Sequence, residues 1–309
     1  MSGPTMATRE WVLLIVLSIL WGGSFFFAEV ALRDLGPLSI VCGRVSLAAL
    51  ALLAFVYLSG KQMPWDWISW RQFFVMGGLN NIIPFSLIVW GQSHIDSGLA
   101  SVLNATTPLF TVALAHMLTT DEKISLNKGL GIVFGIIGVA VLIGPDALDN
   151  LDGQAWGKIA ILGAAISYSF AGIYGRRLSR HPTSVAAAGM LVGSGLMMVP
   201  LALIFENPLQ ASPDMATWGS VLAIALLSTS VAYLIYFHIL AKAGATNLLL
   251  VTFLVPVSAL LLGVFILGER LSSNAIIGMM LIFAGLAAVD GRLLRLLVRK
   301  QHAAAQGDK

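Results

Sequence analysis

Five small polar residues recur through the apolar stretch 97–119: Ser97, Ser101, Asn104, Thr107 and Thr111. Steps of three and four residues place such groups on one face of a helix. Hydroxyl and amide groups at that spacing either hydrogen-bond a neighbouring helix or line a polar cavity. Asn104, which both donates and accepts, is the best candidate to hold a solute. A second cluster, Gly77, Gly78, Asn80, Asn81 and Pro84, lies in the apolar run 70–92. Pro84 has no N–H, so it frees a backbone acceptor about one turn earlier, near Asn80. A freed carbonyl beside two amide side chains makes a polar pocket; the alternative is a packing kink stapled by Asn81.

Rings and charges add a second layer. Trp21 answers to Tyr168 and Phe27 to Tyr174 at one constant offset. Thr229, Tyr233 and Tyr236 share a helical face, and Tyr236 answers to Trp90. Mirrored rings suit a cavity for flat aromatic or cationic solutes, through stacking and cation–π attraction. Trp11, Trp65, Trp67, Trp70, Trp156 and Trp218 stand nearer span ends and are read as interface anchors. Arg44 and Glu29 lie inside apolar runs. A charge there is costly unless paired, so the two form either a structural ion pair or a gate, with Arg44 as an anchor for a solute carboxylate. Asp290, His116 and His238 lie toward one membrane face and are candidates to carry a coupled proton. The short motifs of enzyme chemistry are absent, which weakens an enzyme reading: there is no HExxH and no CxxC, and Ser194 in Val192-Gly193-Ser194-Gly195 lacks the spacing of an intramembrane serine protease. No GxxxxGK[ST] motif is present, so direct ATP drive is not expected. No metal and no cofactor are expected, and Cys42 is read as a small core residue.

The elements that must position these groups are membrane spans. The chain is 58% hydrophobic and 11% charged, with mean hydropathy +0.88. Soluble domains carry roughly a quarter charged residues, so this chain cannot hide its apolar surface in one water-soluble core. Ten apolar segments are long enough to cross a bilayer, near 11–32, 36–58, 70–92, 97–119, 126–145, 156–178, 183–205, 216–240, 245–267 and 273–293. The first is too long for a cleaved signal peptide. All must be helices, because lipid cannot satisfy exposed backbone groups. With the N-terminus inside, outer loops carry only Arg33, Lys158 and Arg270; the remaining Lys and Arg, Arg44 apart, fall in inner segments. Both termini are therefore expected in the cytoplasm.

The segment 98–144 returns at 244–291. Pro108 matches Pro256, Glu122-Lys123-Ile124-Ser125 matches Glu269-Arg270-Leu271-Ser272, Gly131 matches Gly278, and Gly138 matches Gly285, with a one-residue gap between proline and glutamate. The polar linker 145–155 separates the halves, 1–146 and 147–309. Five helices is an odd number, so the second half must be inverted relative to the first. An internal inverted repeat in a membrane chain is a mark of transporters.

Trp21-Gly22-Gly23-Ser24-Phe25 in the first span, Arg44 after Gly36-Pro37 in the second, and two proline-bearing spans running to Glu122 and Glu269 resemble the EamA-type transporters of the drug/metabolite transporter superfamily. The likeness covers nearly the whole chain and is greatest to the YddG-type exporters of aromatic amino acids. It implies ten helices in two inverted repeats, a central cavity and alternating access. The expected solute-binding set is Trp21, Ser24, Asn80, Asn81, Pro84, Asn104, Thr107, Tyr168, Tyr233 and Tyr236, with kinks at Pro84, Pro108 and Pro256. The expected function is export of aromatic or other neutral amino acids and related metabolites across the cytoplasmic membrane. The alternatives are export of cationic drugs or nucleosides, and an intramembrane enzyme. The expected partners are a small solute and the lipid bilayer, with no nucleic acid and no obligatory protein partner.

Overall fold

The computed structural model describes residues 6–119, 124–144 and 152–290. Among them there is no strand. Ten helices follow the apolar segments: α1 Thr8–Ala31, α2 Pro37–Leu58, α3 Trp67–Gln92, α4 Ser97–Leu118, α5 Leu126–Ile143, α6 Gly153–Leu178, α7 Thr183–Phe205, α8 Met215–Gly244, α9 Val251–Leu267 and α10 Ser273–Asp290. All but the shorter α9 have both the length and the hydropathy to span a bilayer. Glu122 and Lys123, most of the 145–155 linker and the basic tail after Asp290 lie outside the described residues.

Local signals set the helix starts. Asp66, Asp152 and Asp214 cap α3, α6 and α8, each carboxylate accepting the N–H three residues on. Pro37 occupies the first turn of α2, where no N–H is needed. Gly144 and Gly268 end α5 and α9 at positive φ, which a side chain would resist.

Packing reveals the repeat. α1 lies against α8 and α9, and α6 lies against α3 and α4. α2 packs on α7 and α8, and α7 on α2 and α3; α5 packs on α10, and α4 on α9. Exchanging each helix with the one five places later leaves this set unchanged, as a two-fold relation between repeats requires. Equivalent helices run in opposite directions. Glu206 meets Ser39 at one end of the α2–α7 pair while Lys61 meets Ser184 at the other. In α5 and α10 the glycine ladder is antiparallel too. A Cβ on Gly131 would lie 2.5 Å from the Gly285 carbonyl, and one on Gly138 2.8 Å from the Gly278 carbonyl. With no hydrophobic force between helices in lipid, such close backbone approach is what holds them together. The architecture is all-α, with two inverted five-helix repeats.

The interruptions differ in part from expectation. α3 carries a wide turn of π type at Gly78–Ile82, and α8 carries one at the matching place, Leu226–Val231. α4 breaks at Ala105–Thr106, just before Pro108. Pro256 lies inside the helical stretch Val251–Leu262, and a separate bend falls at Gly244 (φ 80), at the junction of α8 and α9.

Candidate functional site

Tyr233, just past the α8 turn, reaches the α3 turn and brings polar groups of the membrane interior together. In the α3 turn, Asn81 is fully buried. Its Nδ2 donates to Ser194 Oγ of α7 at 2.9 Å, and its Oδ1 accepts from Tyr233 OH at 3.2 Å. Asn80 Nδ2 donates to Tyr233 OH at 3.0 Å and also approaches Asn81 Oδ1 and Met190 Sδ. In the α8 turn, Thr229 Oγ1 accepts from Arg44 Nε of α2 at 3.0 Å. Asn81 and Thr229 are each the fourth residue of their turns, and each meets a side chain of a helix from the other repeat, Ser194 of α7 or Arg44 of α2, with Arg44 a turn nearer the start of its helix.

Pro84 explains the α3 turn. In a π register its missing N–H would have met the carbonyl five residues back, Leu79, and Ser167 Oγ of α6 takes that carbonyl at 2.7 Å. The freed acceptor is thus Leu79, one residue before the expected Asn80, because the wide turn shifts the bonding by one.

Arg44 does not pair with Glu29, contrary to the structural ion pair considered from sequence. Consecutive helices here are not the main packing partners: α1 turns toward α8 and α9 while α2 turns toward α7 and α8. The Arg44 guanidinium instead lies over the Phe85 ring, with Cζ 3.5 Å from the centroid, and near the phenols of Tyr168 and Tyr233. Among the described residues no carboxylate reaches it. Glu29 lies toward the end opposite the N-terminus, where Gln92 Nε2 approaches it at 3.4 Å while donating to the Phe25 carbonyl.

Rings extend the centre toward α1. Tyr168 packs edge-on to Phe85, Tyr233 and Tyr236 both pack on Phe237, and Trp21 lies 5.6 Å from Tyr236. Trp21, Asn80, Tyr168, Tyr233 and Tyr236 all keep accessible surface. Ser24 is buried on α1. On α4 the polar stripe is largely spoken for. Ser101 and Thr107 donate to carbonyls one turn back, and Thr111 meets Thr107 O and Ser169 Oγ. Asn104 Oδ1 is buried without a partner among the described residues.

At the end opposite the N-terminus two carboxylates, which sequence reasoning did not assign this task, tie the two repeats together. Glu269 accepts from the N–H groups of Ser97 and Gly98 and from Ser97 Oγ, capping α4 from the other repeat. Glu206 does the same for Leu38 and Ser39 at the start of α2. A carboxylate on exposed helix N–H groups is favoured by charge and dipole together. Gly36 and Gly98 make room: a Cβ on Gly36 would lie 2.4 Å from the Glu206 carboxyl. Little in the sequence pointed to it: Gly36 offers α2 no side-chain cap, but Asp96 stands at the start of α4 and does not cap it. A cleft of about 410 Å³ opens beside Glu269, lined by Glu29, Arg33, Asp96 and Arg270. A second, about 250 Å³, opens at the other end between Lys61, Ser184, Phe237 and His238.

This geometry has parallels. The EamA-like transporter family model matches twice, over residues 9–144 and 155–289. The chain belongs to the EamA-like transporter family. It is thus an integral, multi-pass membrane transporter, each five-helix repeat carrying one family match. This EamA-like transporter is 27% identical to the uncharacterized transporter YoaV of Bacillus subtilis (strain 168), over 88% of this chain and 94% of the relative. It is 27% identical to the uncharacterized inner membrane transporter YedA of Escherichia coli (strain K12), over 84% and 83%. It is also 27% identical to a probable amino-acid metabolite efflux pump of the same strain, over 91% and 94%. A solved crystal structure shares the fold, with a TM-score of 0.67 and 19% identity, covering 94% of this chain and 99% of that one.

Proposed function

We propose that this EamA-like transporter is a secondary exporter of aromatic or other neutral amino acids and related small metabolites, working across the cytoplasmic membrane by alternating access. One observation carries the proposal. The interrupted helices of both repeats converge on a buried centre that combines hydrogen-bonding groups (Asn80, Tyr233 and the Thr229 region) with the rings of Phe85 and Tyr168. Inverted-repeat transporters bind where discontinuous helices meet near the membrane midplane. An amino acid needs polar contacts at one end and an apolar surface at the other, and this centre offers both. The likeness to a probable amino-acid metabolite efflux pump points the same way.

Access to the centre alternates when the half 1–146 rocks against 147–309. In the arrangement described, Glu206 and Glu269 tie the two halves at the end opposite the N-terminus. The Lys and Arg distribution assigns that end to the outside and both termini to the cytoplasm. Breaking these caps opens the outer side.

The test uses the full chain in sealed liposomes loaded with labelled tryptophan, phenylalanine, alanine or a nucleoside, with and without an imposed pH gradient. Efflux of unmodified amino acids above protein-free liposomes is the expected result. Efflux of nucleosides or cationic drugs alone would overturn the substrate assignment, and chemically altered solute would indicate an enzyme.

A further inference from the structure

We propose that Arg44 is the anchor for a carboxylate on the transported solute, which makes the substrate class an acid with a flat or apolar body. This rests on the transport reading above and deepens it.

The two repeats supply an internal comparison. In one, the contact between the wide turn and its neighbouring helix is neutral and self-contained. Asn81 Nδ2 donates to Ser194 Oγ, and Ser194 Oγ donates onward to the Met190 carbonyl at 2.8 Å. A serine therefore suffices to hold a wide turn to its partner helix. In the other repeat the matching turn residue, Thr229, is met instead by Arg44, a turn nearer the start of its helix, whose side chain does more than packing requires. Its Nε–H satisfies Thr229, but a guanidinium has five N–H groups. The four on the terminal nitrogens meet no acceptor among the described residues. Arg44 is 8% exposed, so water solvates it poorly.

Charges inside membranes are rare and are met by an opposite charge or a functional ligand. What surrounds Arg44 is aromatic: Phe85 beneath it, with Tyr168 and Tyr233 beside it. A ring face steadies a cation but leaves the fork of N–H groups open along its edge. That fork matches a carboxylate in two parallel hydrogen bonds. Tyr168 and Phe85 then lie where the solute's body would pack, and Asn80 with Tyr233 can receive its amino group. The same fixed positive charge opposes cationic drugs, one of the alternatives raised by the rings alone.

The experiment compares matched ligands on purified full-length protein: tryptophan, indole-3-acetate and phenylalanine against tryptophan amide, tryptamine and phenylalanine amide. Binding is read as a ligand-induced rise in melting temperature, and transport as efflux from liposomes, for wild type, Arg44→Gln and Arg44→Lys. Carboxylates should bind wild type and their amides should bind about tenfold or more weakly. Arg44→Gln should abolish that preference by weakening only the acids, by roughly ten- to a hundredfold, the loss expected for a hydrogen bond to a charged group. Arg44→Lys keeps the charge but not the fork, so it should restore part of the preference. It also serves as the folded comparator if Arg44→Gln is recovered poorly. Acids and amides that bind wild type equally, or an acid preference that survives in Arg44→Gln, would overturn the proposal. Binding of amines or nucleosides alone would overturn it too. Carboxylates that bind through Arg44 but are not moved in liposomes would uphold the anchor and sink the transport assignment instead.

Discussion

The staple between α3 and α7 can be dissected with a double-mutant cycle on Asn81 and Ser194. Asn81→Ala removes the 2.9 Å bond to Ser194 Oγ and an acceptor that Tyr233 and Asn80 approach at 3.2 Å. Asn80 still donates to Tyr233 at 3.0 Å and Ser194 still donates to Met190, while the Tyr233 hydroxyl proton loses its acceptor. Hydrogen bonds between membrane helices average about 0.6 kcal/mol and reach about 1.7. Truncating a fully buried side chain adds a cavity cost, giving about 2 kcal/mol in total for Asn81→Ala. Ser194→Ala leaves the Asn81 amide buried without its acceptor, at a cost of about 1–3 kcal/mol. Because both single changes destroy one shared bond, the double variant should be less damaged than their sum, by about 0.5–1.5 kcal/mol. Unfolding of all four proteins is followed in mixed micelles titrated with denaturing detergent. Additivity within about 0.3 kcal/mol would refute the shared bond. So would a wild-type-like Asn81→Ala, since the wide turn would then be held without its staple.

Three further predictions use different observations. Gly138→Val places branched carbon where a Cβ already comes within 2.8 Å of the Gly278 carbonyl, so α5 and α10 must separate and the folded fraction on size exclusion should fall sharply. Asp96, in the link between α3 and α4, has its carboxyl held above the usual range by partial burial and then by the Glu269 charge. The native state therefore loses stability as pH rises through that raised value. Asp96→Asn should raise the melting temperature at neutral pH, and the gain should vanish once pH falls below the ordinary carboxylate range; a pH-independent difference would be the contrary result. In a Cys42→Ser background, a cysteine at Pro213 should react with an impermeant thiol reagent added outside sealed cells, while cysteines at Gln62 and Ser179 should not; labelling of all three alike would contradict the orientation with cytoplasmic termini.

The ten helices were legible before any coordinates, because a bilayer demands long apolar segments and hydropathy is a local property. The repeat was legible for a similar reason: Gly131 and Gly138 recur as Gly278 and Gly285, and an odd helix count forces the inversion. The candidates Asn80, Asn81, Tyr168 and Tyr233 were also found, since amides and prolines inside apolar runs stand out by composition. What each of them does was not legible. The stripe on α4 has the spacing of a lining face, yet a turn at 105–106 breaks its register and most of its hydroxyls bond to carbonyls a turn away. Arg44 and Glu29 are near in sequence and near in expected depth, yet Arg44 meets Thr229, 185 residues on. Glu269 stood out only as the repeat match of Glu122, and only folding set Glu206 and Glu269 on the bare N-termini of α2 and α4. Hydropathy determines that a segment crosses the membrane, but the partner of a side chain depends on how its helix is rotated and which helix of the other repeat lies beside it. That choice is made by glycine contacts and helix-end caps between the repeats, which no single segment encodes.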